Sequence, residues 1–300
     1  MAKLSQTTKE IINTSIFLLV VALLVITYIV YPLIKTKDIN ARIDVEEINP
    51  DSLSINDATS FIDKFNNIDT FRVESDGLTN LAGLYIPHDS SCHEKEKGTI
   101  FILHKDNQTR DSILSLAQLF YDSGYIVITY DQRASGLSSG KYRGEGKFEA
   151  DDLNAIISYL NLREKIYYPL TIIGHELGAD AAILASLDNP HIQKVIAINP
   201  YLTTLRMQNI LKEKYDLYWF PFFRTIMWFW YEIRSGYSVE YREIEKIRPV
   251  PCSTLLLIDK VNADDEEVTE LKSISESKFL LVKPISDDSN LHDEIMNFIF

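Results

Sequence analysis

Leu170-Thr171-Ile172-Ile173-Gly174-His175-Glu176-Leu177-Gly178-Ala179-Asp180-Ala181-Ala182-Ile183-Leu184 is the stretch that decides the fold of this 300-residue chain. Its first four residues are apolar or β-branched, as in a buried strand. Its last six are alanine-rich, as in a helix. Gly174 and Gly178 bracket the change between them. A sharp, strained turn from strand to helix lifts its central side chain above the end of a sheet, and the flanking positions must be small where strand and helix crowd together. This is the context in which a G-x-S-x-G nucleophile elbow is meaningful. The residue at the tip here is Glu176.

Working outward, apolar runs alternate with helical patterns. Phe71 to Ser75 and Leu81 to Pro87 resemble a hairpin turning at Asp76-Gly77. Thr99 to His104 is a nearly continuous apolar strand of the kind buried on both faces of a parallel sheet. A helix is predicted over Ile113 to Tyr121, a strand over Tyr125 to Tyr130, and a helix from Lys147 to about Leu162. Further strands are predicted over Val195 to Pro200, Thr254 to Asp259 and Lys278 to Val282, with a last helix ending at Phe300. This alternation predicts an α/β sheet. Residues 201–247 interrupt it without a strand and are dense in aromatics, among them Tyr218, Trp219, Phe222, Trp228 and Trp230. They read as a helical lid over the carboxyl ends of the strands. Its rings could pack onto the main domain, line an apolar ligand groove or touch a bilayer.

Ile16 to Ile34 is an uncharged apolar run, and about 19 residues suffice to cross a bilayer as a helix. Tyr28 and Tyr31 suit an interfacial position. No small-x-small cleavage site follows, and the run is long for a signal peptide. The expected organisation is a tail over 1–15, a single transmembrane helix over 16–34, a polar connector over 35–70 with helical character near Ile55 to Phe65, and one domain over 71–300. Lys3 and Lys9 before the span nearly balance Lys35, Lys37 and Arg42 after it, so the membrane side of the soluble domain stays open.

The net charge is −13, and setting aside the four lysines and one glutamate of residues 1–37 leaves −16 on the remainder. That balance excludes nucleic acid as a partner and leaves the helix as the contact with membrane lipid. Cys92 and Cys252 precede strands that lie far apart, so no disulfide is expected between them. No metal and no cofactor is expected, and the oligomeric state stays open.

From residue 71 onward the chain resembles the α/β-hydrolase fold, and within it the membrane-anchored serine hydrolases of the Bem46/ABHD13-like type. The elbow is one match. Asp131-Gln132-Arg133-Ala134-Ser135-Gly136-Leu137-Ser138 resembles the D-x-R-G-x-G-x-S turn, and Ile247 to Ile258 resembles the segment leading to the strand before the catalytic acid. The resemblance implies a mostly parallel central sheet flanked by helices, a nucleophile at position 176, an acid after Ile258, a histidine after the last strand, and backbone donors at Lys105 and Leu177 for an oxyanion. Asp131 and Arg133 are expected to fix a loop through a buried ion pair and backbone hydrogen bonds.

The chain departs from that pattern at several positions. Glu176 has no hydroxyl proton to yield to a base, and it puts negative charge where an ester carbonyl would become an oxyanion. His104-Lys105-Asp106-Asn107 stands where the family has His-Gly. Asp264 or Asp265 falls a residue or two late for the acid. Ser286-Asp287 occupies the histidine's place, with His292 further on as either a surface residue or a shifted base. His175 reads as packing. Two functions follow. One is a pseudo-hydrolase that binds a lipid, an acyl-like ligand or a protein. The other is an active hydrolase, either with displaced residues or using Glu176 as a carboxylate nucleophile in the manner of epoxide hydrolases and dehalogenases.

Overall fold

The computed structural model describes residues 5–34, 65, 67–88, 95–106, 108–144, 146–200, 225–227, 229–230, 233, 250–259, 280–285 and 288–299. Eight strands form one sheet: β1 Asp69–Glu74, β2 Asn80–Ile86, β3 Thr99–Leu103, β4 Ile126–Tyr130, β5 Leu170–His175, β6 Ile192–Ile198, β7 Ser253–Asp259 and β8 Leu280–Ile285. Their spatial order is β1-β2-β4-β3-β5-β6-β7-β8. The β1–β2 and β2–β4 pairs are antiparallel, and every other neighbouring pair is parallel. The first strand begins at Asp69, two residues earlier than the sequence pattern suggests, because Asp69 and Thr70 pair with Tyr85 and Leu84.

The helices are α1 Gln6–Val25, α2 Leu114–Asp122, α3 Lys147–Asn161, α4 Leu177–Asp188 and α5 Asp288–Ile299. They sort the core into two faces. One holds Phe101, Leu103, Ile128 and Ile172 against Leu153, Ile156 and Ile183 of α3 and α4. The other holds Ile100, Ile102, Val127 and Ile173 against Leu114 and Phe120 of α2 and Ile295 of α5. Alternate residues of β3 therefore serve opposite faces, which is why its sequence is apolar from Ile100 to Leu103. A fully buried Leu or Ile side chain on either face contributes roughly 1.5–3 kcal/mol.

At the N-terminus Ser5 caps α1 by accepting a 3.2 Å hydrogen bond from the Thr8 amide. The helix continues through a wider π turn at Ile26–Val30. Pro32 follows directly; its ring removes one backbone donor and crowds the preceding carbonyls, and the wider turn relieves that crowding. The helical run Gln6–Ile34 spans 29 residues, and an 18-residue window within it has a mean hydropathy of 2.7 and is only 6% buried. It starts earlier than the apolar run because the polar residues 6–15 also wind into helix. By length and composition it is long and apolar enough to cross a membrane.

Of the interruption at 201–247, residues 225–227, 229–230 and 233 are described and helical, with Met227 buried and Phe229 and Ile233 exposed. The remainder of the expected lid and the helical stretch near Ile55 lie outside the described residues. Cys252 is a free, buried thiol.

Candidate functional site

In this topology β3 is flanked by β4 on one side and β5 on the other, both parallel to it, and β4 leads on to the antiparallel edge of β2 and β1. A change of direction in the strand order opens a crevice at the carboxyl ends of the strands. The turn between β5 and α4 sits at that crevice and has Glu176 at its tip. Glu176 adopts φ 52° and ψ −112°, a conformation that costs an L-residue of order 1–3 kcal/mol. The surroundings impose it. The Glu176 amide donates to the Ile198 carbonyl at 2.8 Å, while its carbonyl accepts from Ala179 and Asp180 at 3.0 and 3.1 Å and starts the helix.

The two glycines are required by the same crossing. A Cβ on Gly174 would lie 2.1 Å from the Gly178 carbonyl oxygen. One on Gly178 would meet the Leu103 Cβ and the His104 carbonyl at 2.8 Å. Hence the loop after β3 passes directly against the first turn of α4. His104, the residue before Lys105, therefore lies against the turn that carries Glu176 and Leu177.

That loop is held by its histidine. His104 is buried, and its Nε2 accepts from the Gln132 amide at 3.0 Å. Its Nδ1 lies 2.9 Å from the Lys105 carbonyl, which assigns the proton to Nδ1. Burial pushes the His104 pKa down and the nearby Arg143 adds to this, so the ring is a neutral structural bridge. The Gln132 side chain returns a 2.6 Å bond to the His104 carbonyl. Next along the loop, Asp106 forms an ion pair with Arg143, whose side chain is 6% exposed. Pairing Asp106 with a cation removes the isolated negative charge that its sequence position suggests.

The D-x-R turn divides its work differently from the expected single ion pair. Asp131 accepts from the amides of Arg110 at 2.9 Å and Leu137 at 3.0 Å. Arg133 instead makes a bidentate pair with Asp152 of α3, at 2.7 and 2.6 Å, and reaches Asp76 at 3.3 Å. Against burial, which lowers it, the hydrogen bonds and charge of Asp152 hold the Arg133 guanidinium above its ordinary range. Beside it Glu149 is fully buried and accepts from the Gly144 and Gly146 amides at 2.6 and 2.8 Å. Burial still wins, and the Glu149 carboxyl is pushed up to about 7.

Glu176 has no such company. Its side chain is 23% exposed, and His175 Nε2 lies 4.0 Å from its Oε1. No hydrogen bond reaches its carboxylate among the described residues, and it does not cap the helix that it precedes. The Leu177 amide likewise donates to no acceptor among them. Asp264 lies outside the described residues; β7 ends at Asp259. His292 falls on α5, with its side chain outside the described residues. Among the described residues no three His, Cys, Asp or Glu side chains are placed to hold a metal. Arg143, Gln132 and Glu149 went unread in the sequence. Gln132, at the variable position of D-x-R, carried the one usable signal.

The serine aminopeptidase S33 family (Hydrolase_4) matches residues 94–266. The chain belongs to this family, and its fold is the α/β-hydrolase fold. Over 98 residues it is 35% identical to the uncharacterized protein YqkD of Bacillus subtilis (strain 168), a match spanning 33% of this chain and 30% of YqkD. Its structure is similar to that of the Pyrococcus furiosus esterase Pf2001, with a TM-score of 0.61 at 18% identity, covering 78% of this chain and 90% of that one. It is also similar to the α/β hydrolase GrgF of Penicillium sp. sh18, with a TM-score of 0.54 at 16% identity, covering 78% and 98%. At these identities the likeness concerns the fold.

Proposed function

We propose that this hydrolase-family chain is a membrane-anchored pseudo-hydrolase, which binds an apolar or acyl-bearing ligand beneath residues 201–247 and does not cleave esters by serine chemistry. The observation that carries this reading is Glu176 at the tip of the strained β5–α4 turn. In this reading Glu176 takes the position from which a serine would attack. A carboxylate there offers histidine no hydroxyl proton, and it would repel an oxyanion forming beside it. The loop after β3 supports the same reading, because Lys105 stands where a glycine would let backbone approach substrate, and Asp106 beside it is held in place by Arg143.

Anchoring rests on the run Gln6–Ile34. Carbonate extraction of membranes should leave the full chain in the pellet and release a chain lacking residues 1–34; release of both would remove the anchor from the account. Chemistry is tested with p-nitrophenyl butyrate and octanoate on the full chain in non-ionic micelles. Turnover should match the micelle blank for wild type and for Glu176→Gln. Turnover well above blank that Glu176→Gln abolishes would restore an enzyme and make Glu176 its carboxylate nucleophile.

A further inference from the structure

We propose that the ligand taken up at the β5–α4 turn carries a primary ammonium group, seated on the Glu176 carboxylate. The apolar body of such a ligand rests on the reading above; the headgroup rests on the geometry of Glu176 itself. More than three-quarters of that side chain is withdrawn from water. Among the described residues no donor hydrogen-bonds its oxygens, and no lysine or arginine nitrogen comes within 4.0 Å. A carboxylate offers about four acceptor positions, and leaving them unmet in a partly dry site is costly.

The neighbours sharpen the choice. Asp106 is already committed to Arg143, and Asp152, Asp76 and Asp131 are committed within the D-x-R turn. Among the described residues Glu176 is thus the one carboxylate of this group without a hydrogen-bond donor. A fatty-acid anion placed here would meet like charge. An alcohol would supply a single O–H. An ammonium supplies three donors and the opposite charge, and charge-assisted bonds are about twice as strong as neutral ones. The net charge of −16 beyond residue 37 also enriches cations near the crevice.

Isothermal titration of the full chain in non-ionic micelles with octylammonium, octan-1-ol and octanoate compares three headgroups on one body. Running wild type and Glu176→Gln in the same micelles cancels partitioning into detergent. Octylammonium should bind wild type at least tenfold more tightly than octanol, with octanoate weakest, and Glu176→Gln should erase the difference. Glu176→Ser provides a second variant with the same expected loss. If octanol or octanoate binds as tightly as octylammonium, or if Glu176→Gln keeps the preference, the ammonium assignment is wrong while an apolar ligand stands. If none of the three binds, both the headgroup and the apolar-ligand reading fail.

Discussion

Two acidic groups, one on α3 and one at the turn after β5, meet opposite fates in this molecule. Asp152 lies fully buried under the D-x-R turn, and both of its oxygens are taken by Arg133. Glu176 lies at the mouth of the crevice, partly buried, and its side chain takes no hydrogen bond among the described residues. The first arrangement spends its charge on holding β4, α3 and the β1–β2 hairpin together. In the proposed reading the second keeps its charge available to a ligand. Structural and functional carboxylates differ here in who supplies the donor.

The largest expected effect comes from breaking the satisfied side. Arg133→Ala strands Asp152 without its guanidinium and should cost about 3–5 kcal/mol of unfolding free energy, read by urea denaturation of the full chain in micelles. A loss below about 1 kcal/mol would mean that the pair is not structural. Glu149 gives the next effect, through pH. Its carboxyl is raised to about 7, so between the ordinary glutamate value and that pH the folded chain holds a proton that the unfolded chain has released. Its stabilising contribution is therefore full at acid pH and falls as pH climbs through this window, by roughly 3 kcal/mol in all. Urea titrations at pH 4.5 and 8 should show that fall in wild type and not in Glu149→Gln; equal slopes in both would refute it.

Smaller again is Gly178→Ala. The added methyl meets Leu103 and the His104 carbonyl, so the loop after β3 must shift, at about 1–3 kcal/mol. An unchanged midpoint would show the crossing to be looser than described. Least of all is Glu176→Ser, which removes an under-satisfied carboxylate and should leave stability within about 1 kcal/mol of wild type, on the stabilising side. A drop comparable to that of Arg133→Ala would place Glu176 among the structural carboxylates and dissolve the contrast.

Much of the fold was legible because it rests on local patterns. β3 is apolar at all positions but Thr99 since both its faces are covered, and β5 runs into two glycines that only a tight crossing requires. Glu176 was conspicuous for the same reason. The electrostatic setting was not legible. Arg143 and Asp106 are 37 residues apart in sequence, and nothing periodic links them. Arg133 was expected within a single ion pair of the turn, yet Asp152 on α3 claims it, because α3 packs against the same face and brings a carboxylate into bidentate reach. Asp106 read as a lone negative charge against an oxyanion until its partner came into view.

The central claim is that Glu176 has ended serine-hydrolase chemistry in this chain. Labelling the full chain in micelles with a fluorophosphonate probe, followed by peptide mass spectrometry, tests it most directly. The account predicts no covalent adduct on any residue at probe concentrations that saturate an active serine hydrolase run in parallel. A stoichiometric adduct on a serine of the intact chain, lost on heat denaturation, would contradict it.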